Sequence, residues 1–167
     1  MFLAQTDLFR ARWTLDIHEE WIRNLLLKRA DLNREKLEGL RDMMIEAIPN
    51  SLVTGYKPAI DGLELPDPED RHVLAAALRA NAEIIVTANL KDFPPDSLKP
   101  YNVVAQHPDD FILDLIDLKP PLVLACFKED RTHYCNPPYT VEEYLENLTR
   151  QGLSKTVAYL SEYSHLI

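Results

Sequence analysis

Glycine is scarce in this chain of 167 residues, with only Gly39, Gly55, Gly62 and Gly152. None forms G-x-G-x-x-G or a P-loop, so no glycine-rich cradle for a dinucleotide or a nucleoside triphosphate is encoded. No serine lies between glycines as a nucleophile elbow requires. Cysteine is scarcer still. Cys126 and Cys135 make no C-x-x-C, and His133 beside Cys135 is too little for zinc, so free thiols in a reducing compartment are expected. No apolar run nears the ~20 residues of a membrane span, and Met1 to Asp7 lacks the basic start and apolar core of a signal peptide. These absences predict a cytoplasmic protein with no membrane partner. Basic residues are also short: 18 Lys and Arg stand against 27 Asp and Glu, a net charge of −9. That argues against a broad electrostatic grip on a nucleic-acid backbone. It leaves room for acids that hold a cation, which can then meet phosphate.

What is present is ordinary for a soluble globular chain: 46% hydrophobic and 27% charged residues, enough for one domain with a sizeable core. The organising stretch runs from Leu65 to Phe93. Pro68 sits where a helix best tolerates it, with Asp67 placed to cap the first turn. Val73 to Leu78 is an Ala-rich helical body. Glu83 to Thr87 then reads as a β-branched strand buried on both faces. A helix feeding such a strand in so few residues implies a parallel α/β sheet.

Ligands in open α/β sheets lie beyond the carboxyl ends of strands, so the turn after Thr87, with Asn89 and Asp92, is where chemistry is expected. Asp70, in the first turn of the preceding helix, reaches the same crevice if that helix starts at the same end of a neighbouring strand. The bland alternative is strong. Asp67, Glu69 and Asp70 together would complement a helix dipole with no function at all.

The run Asp67-Pro-Glu-Asp-Arg-His-Val-Leu-Ala-Ala-Ala, then Ile84-Ile-Val-Thr-Ala-Asn-Leu-Lys-Asp-Phe, resembles the central signature of PIN-domain ribonucleases, including VapC-type toxins of toxin–antitoxin pairs. In that family four acids bind one or two Mg²⁺ or Mn²⁺ ions, which activate water against an RNA phosphodiester. The resemblance puts the third acid at Asp70 and the fourth at Asn89 or Asp92, with Asp92 carrying the charge. It puts the second at Glu20, whose neighbour Trp21 matches the bulky residue usual there. On the residues alone, the better reading of Glu20 is a solvated flank pairing with Arg23 or Asn24. Thr87 and Asn89 are expected to orient ligands or phosphate.

Taken in order, Thr14 is an N-cap for a helix to about Lys28 with Ile17, Trp21, Leu25, Ile22 and Leu26 as its apolar face. Asn33 caps a second helix to Ala47, with Leu37, Leu40, Met44 and Ile48 on one side and Met43 and Met44 as core filler. Strands are expected near 52–55 and 102–105. Pro108 opens a helix with Phe111, Leu115 and Leu118 inward. Beyond Lys119 come helices only: one from Leu122 that ends before Asn136, one behind a Thr140–Glu143 capping box, and one from Leu153 to Leu166 after Gly152.

The family's first strand, which ends in Leu-Asp-Thr/Ala-Asn, has no counterpart. Asp7 lacks a strand before it and reads as a surface or capping residue. The expectation is therefore an α/β, PIN-like parallel sheet flanked by helices and shortened at its N terminus over residues 1–118, then a helical C-terminal extension over 119–167. Glu20, Asp70 and Asp92 would leave three acids for the metal rather than four. Uncovered sheet edges invite a homodimer. Two functions stay open: a metal-dependent endoribonuclease with RNA as substrate and an antitoxin protein as partner, or a catalytically impaired PIN-like interaction module.

Overall fold

The computed structural model describes residues 2–135 and 137–167, so the expected stop before Asn136 touches a position outside them. The chain divides into two compact units, Phe9–Ile85 with Asn89–Ala105, and Met1–Leu8 with Val86–Ala88 and Gln106–Ile167.

In the first unit, helix α1 (Leu15–Lys28) starts where the sequence says: the Thr14 hydroxyl accepts from the Ile17 N–H at 3.0 Å. Helix α2 (Arg34–Ala47) likewise starts at Asn33, whose side chain accepts from the Glu35 N–H at 2.7 Å. The buried face of α1 is shifted from the expected one. His18 and Ile22 are buried, while Ile17, Trp21, Leu25 and Leu26 are half-buried. The reason is polar: the Trp21 indole N–H donates to His18 Nδ1 at 2.9 Å, and Trp13 meets the same imidazole edge-on. On α2, Leu37 is buried but Leu40 and Met43 are exposed, so Met43 is not core filler. The expected strand at 52–55 shrinks to one parallel bridge between Trp13 and Leu52. Asn50 and Gly55 flank it in left-handed conformations, φ 61° and 72°, which end the extended run on both sides.

The helix entry at Asp67 tightens first into a 3₁₀ turn, Pro68–Asp70, before α3 (Arg71–Arg79) continues. Leu74, Ala75, Ala76 and Ala77 of α3 are buried against Val53, Tyr56, Leu63, Ile85, Phe93, Leu98 and Val103, which form the core of this unit. Three consecutive alanines let the α3 backbone approach its neighbours closely, and at ~25 cal/mol per Å² the surrounding larger side chains supply most of the apolar burial. A short helix α4 (Pro95–Leu98) follows.

Strands β1 (Ile84–Val86) and β2 (Val104–Gln106) form the sheet, with Val104 N–H donating to Glu83 C=O and Thr87 N–H to Gln106 C=O, both at 2.9 Å. Both strands advance together across these bonds, so the pair is parallel, and the chain is α/β with a dominant helical part. Burial on both faces of β1 is not observed: Ile85 is buried, whereas Ile84 and Val86 are 38% and 44% exposed. Two strands are present among the described residues in place of the expected three.

The other unit is helical: α5 (Pro108–Leu118), α6 (Pro120–His133), α7 (Val141–Arg150) and α8 (Ser154–Glu162). Leu115 and Ile116 of α5 point inward, but Leu118 is 66% exposed. The Thr140–Glu143 capping box forms in full, each side chain accepting from the other's backbone N–H. Gly152 takes φ 86° after α7, and α8 stops at Glu162, short of the expected Leu166. Its entry is held by Asp109 of α5, whose carboxylate accepts from the Lys155 and Thr156 N–H groups at 2.8 Å each. Among the described residues, no helix is long and apolar enough to cross a membrane.

Candidate metal centre

Three half-buried carboxylates meet in the unit that carries α1 to α4. One oxygen each from Asp67, Asp70 and Asp92 lies within 4.8 Å of the other two. Local structure fixes each of them. Asp67 accepts from the Glu69 N–H at 2.9 Å and so caps the 3₁₀ turn that ends in Asp70. Asp92 closes a second 3₁₀ turn, Leu90–Asp92, whose next residue, Phe93, is buried in the core. The Asn89 side-chain amide donates to the Asp92 carboxylate and sets its rotation.

Burial raises the Asp70 carboxyl above its ordinary value, and the charges of Asp67, Glu20 and Asp92 raise it further against an opposing effect of His72. Two carboxylates 4.8 Å apart repel by about 3–4 kcal/mol at an effective dielectric of ~20. Capping one helix needs one acid, so the other two are not explained by capping. A cluster that is repulsive by itself becomes favourable around a divalent cation. The donors are all carboxylate oxygens, with no thiolate or imidazole in the group, which suits a hard ion such as Mg²⁺ or Mn²⁺.

Of the expected residues, Asp70 and Asp92 come together. Glu20 stands outside the group of three: its Oε2 lies 3.5 Å from Nε2 of His72, while its charge still reaches Asp70. Asn89 holds Asp92, and the Thr87 N–H is engaged in the strand pairing. Asp7 is exposed, as its sequence context suggests. Asp67 is the member that sequence reasoning left as a cap. The signal was present in its spacing, since two acids three residues apart across a tight first turn lie on one side of it.

A helix-flanked parallel strand pair, with Asp67 and Asp70 at the entry of α3 and Asp92 in the turn after β1, defines an α/β protein with a candidate hard-cation centre. The chain is similar to known proteins over two stretches. A family model described as the VapC50 C-terminal domain matches residues 108–162, which span α5 to α8. The chain is also 46% identical over 107 residues to "Putative ribonuclease VapC50" of Mycobacterium tuberculosis (strain ATCC 25618 / H37Rv), covering 62% of this chain and 63% of that protein. It therefore spans less than two thirds of the length of that relative. No solved structure matches. Over these stretches the chain is similar to VapC50-type proteins. The family model falls on the C-terminal helices, which the sequence alone offers only as an extension.

Proposed function

We propose that this chain is a metal-dependent endoribonuclease of PIN type, the RNA-cleaving toxin of a cytoplasmic toxin–antitoxin pair, acting as a homodimer and restrained by an antitoxin protein. The observation that carries the reading is the Asp67–Asp70–Asp92 group, whose mutual repulsion and raised Asp70 carboxyl call for a cation. Asp67, Asp70 and Asp92 would hold Mg²⁺ or Mn²⁺, with Glu20 beside them. When bound, such an ion supplies Lewis-acid activation of water and neutralises charge developing on a phosphodiester. The remaining tasks fall to the chain itself. Asn89 keeps Asp92 turned toward the other acids, and the two 3₁₀ turns hold Asp70 and Asp92 on rigid backbone, so little reorganisation is required when charge develops. Thr87 and Asn89 are assigned to orienting ligand or phosphate.

Cleavage of a labelled single-stranded RNA by the purified chain in Mn²⁺ tests this, with Asp70→Asn alongside and EDTA as the blank. Cutting that both treatments abolish is the expected result. A folded chain that binds Mn²⁺ and leaves RNA intact would overturn the enzyme and favour the interaction module.

A further inference from the structure

Beside the three aspartates, Glu20 and His72 make a close polar contact between two helices. Glu20 lies on α1 and His72 on α3, two residues beyond Asp70, and their facing atoms are 3.5 Å apart. The His72 side chain is 17% exposed. Its other nitrogen, Nδ1, is buried and has no hydrogen-bond partner among the described residues. Nε2, which faces the Glu20 carboxylate, is therefore the ring nitrogen with a polar neighbour among the described residues. The polar function of this ring is thus directed at one carboxylate.

The turn of α1 that carries Glu20 is itself fixed. Asp16 lies one turn earlier on the same face, where its carboxylate accepts from the Tyr56 hydroxyl at 2.5 Å and meets Lys57 Nζ at 3.3 Å. Tyr56 belongs to the buried core. The helix is therefore anchored. The Glu20 side chain, with a rotamer freedom of ~1.5–2 kcal/mol to lose, still needs something to hold its carboxylate near Asp70. We propose that His72 is a positioning residue that holds the Glu20 carboxylate beside the Asp67–Asp70–Asp92 group, so that Glu20 serves the bound cation from α1. This rests on the metal-dependent reading above.

The test is Mn²⁺ affinity of the full chain, read from the electron paramagnetic resonance of free Mn²⁺. Groups that orient a metal ligand are worth roughly 10–100-fold in affinity. His72→Ala is expected to weaken Mn²⁺ by that factor, Glu20→Gln by a similar one, and the double variant by no more than Glu20→Gln alone. His72→Gln, which keeps an N–H near the same place, is expected to recover most of the affinity, which a merely structural role would not predict. His72→Leu keeps the volume without the donor and takes the place of His72→Ala if that variant does not fold. Wild-type affinity in the donor-less variant, or losses that multiply in the double, would overturn the inference. If wild-type chain binds Mn²⁺ and Asp70→Asn does not, while His72→Leu is unaffected, this inference alone fails. If wild-type chain binds no Mn²⁺, the metal-dependent function fails and takes this inference with it.

Discussion

The hydroxyl of Tyr56 donates to the Asp16 carboxylate at 2.5 Å across 40 positions of sequence, and so ties the first turn of α1 to a residue of the buried core. That hydrogen bond, chiefly, holds the Asp16 carboxyl below its ordinary value despite burial, with Lys57 assisting. A depressed carboxyl contributes stability that is present above its unfolded pKa and is lost as pH falls through its folded one. Tyr56→Phe is therefore expected to cost about 1 kcal/mol, at the low end for a charged hydrogen bond because Asp16 is 41% exposed. For a chain of this length that is a fall of ~2–4 °C in Tm. Melts of the two proteins should converge only as pH falls through the lowered folded value of Asp16, below its ordinary 3.8, and equal melting at pH 7 would show the bond to be idle.

Asp70 has the opposite sign. Its carboxyl is raised by burial and by the neighbouring acids, so its ionised form opposes folding at neutral pH, and stability falls as pH rises through the raised value. Asp70→Asn is expected to raise Tm in EDTA by a few degrees and to erase the Tm increase that Mn²⁺ gives the wild-type chain. The two melts, with and without the ion, separate a site that stores repulsion from a structural acid. A structural acid would lose stability in both.

The central helix and strand and the caps at Thr14, Asn33 and Thr140 are legible because each is written in local chemistry, a side chain that fits the next turn or a β-branched run after alanines, whereas the acids at 70 and 92 stand out only through the family resemblance. Two kinds of fact are not local. The Trp13–Leu52 bridge replaces a strand because Asn50 and Gly55 turn the backbone on either side, and a pattern of apolar residues does not reveal positive φ at asparagine. Ile84 and Val86 are apolar yet exposed, since burial depends on what lies across the sheet and not on the strand itself. The site divides in the same way. Asp67 reads as a cap from its neighbours, and only the second turn, 25 residues on, brings Asp92 to it.

RNA binding by so acidic a chain should be shallow in its salt dependence. With a net charge of −9, few lysines and arginines are available to displace counterions. For single strands each phosphate contact contributes a slope of about −0.7 in log K against log salt, so a total no steeper than about −2 is expected, equivalent to roughly three contacts. Titrating the chain onto fluorescent RNA in Ca²⁺, between about 50 and 300 mM salt, where the Debye length changes about 2.4-fold, measures it. A slope near −5 would mean a basic face supplied by assembly.

The C-terminal unit carries its own acid switch in Asp109, 4% exposed. Burial alone would raise its carboxyl, but the bonds it accepts from Thr156 and from the Lys155 backbone outweigh this and lower it. Because the folded value is the lower one, the contribution to stability is full above the unfolded value of about 3.9 and is lost as pH falls through the folded value. Asp109→Asn places an NH₂ where one oxygen must accept from a backbone N–H, leaving a buried donor facing a donor. The expected cost at pH 7 is about 2–3 kcal/mol, most of it the uncompensated burial of those N–H groups. Hydrogen exchange of the Lys155 and Thr156 amides reads the effect locally: faster exchange at both, with Asp92 and the acids near it unaltered in Mn²⁺ affinity. If both amides stay protected in the variant, the entry of α8 is held by packing of Leu160 and its neighbours, and the carboxylate is dispensable.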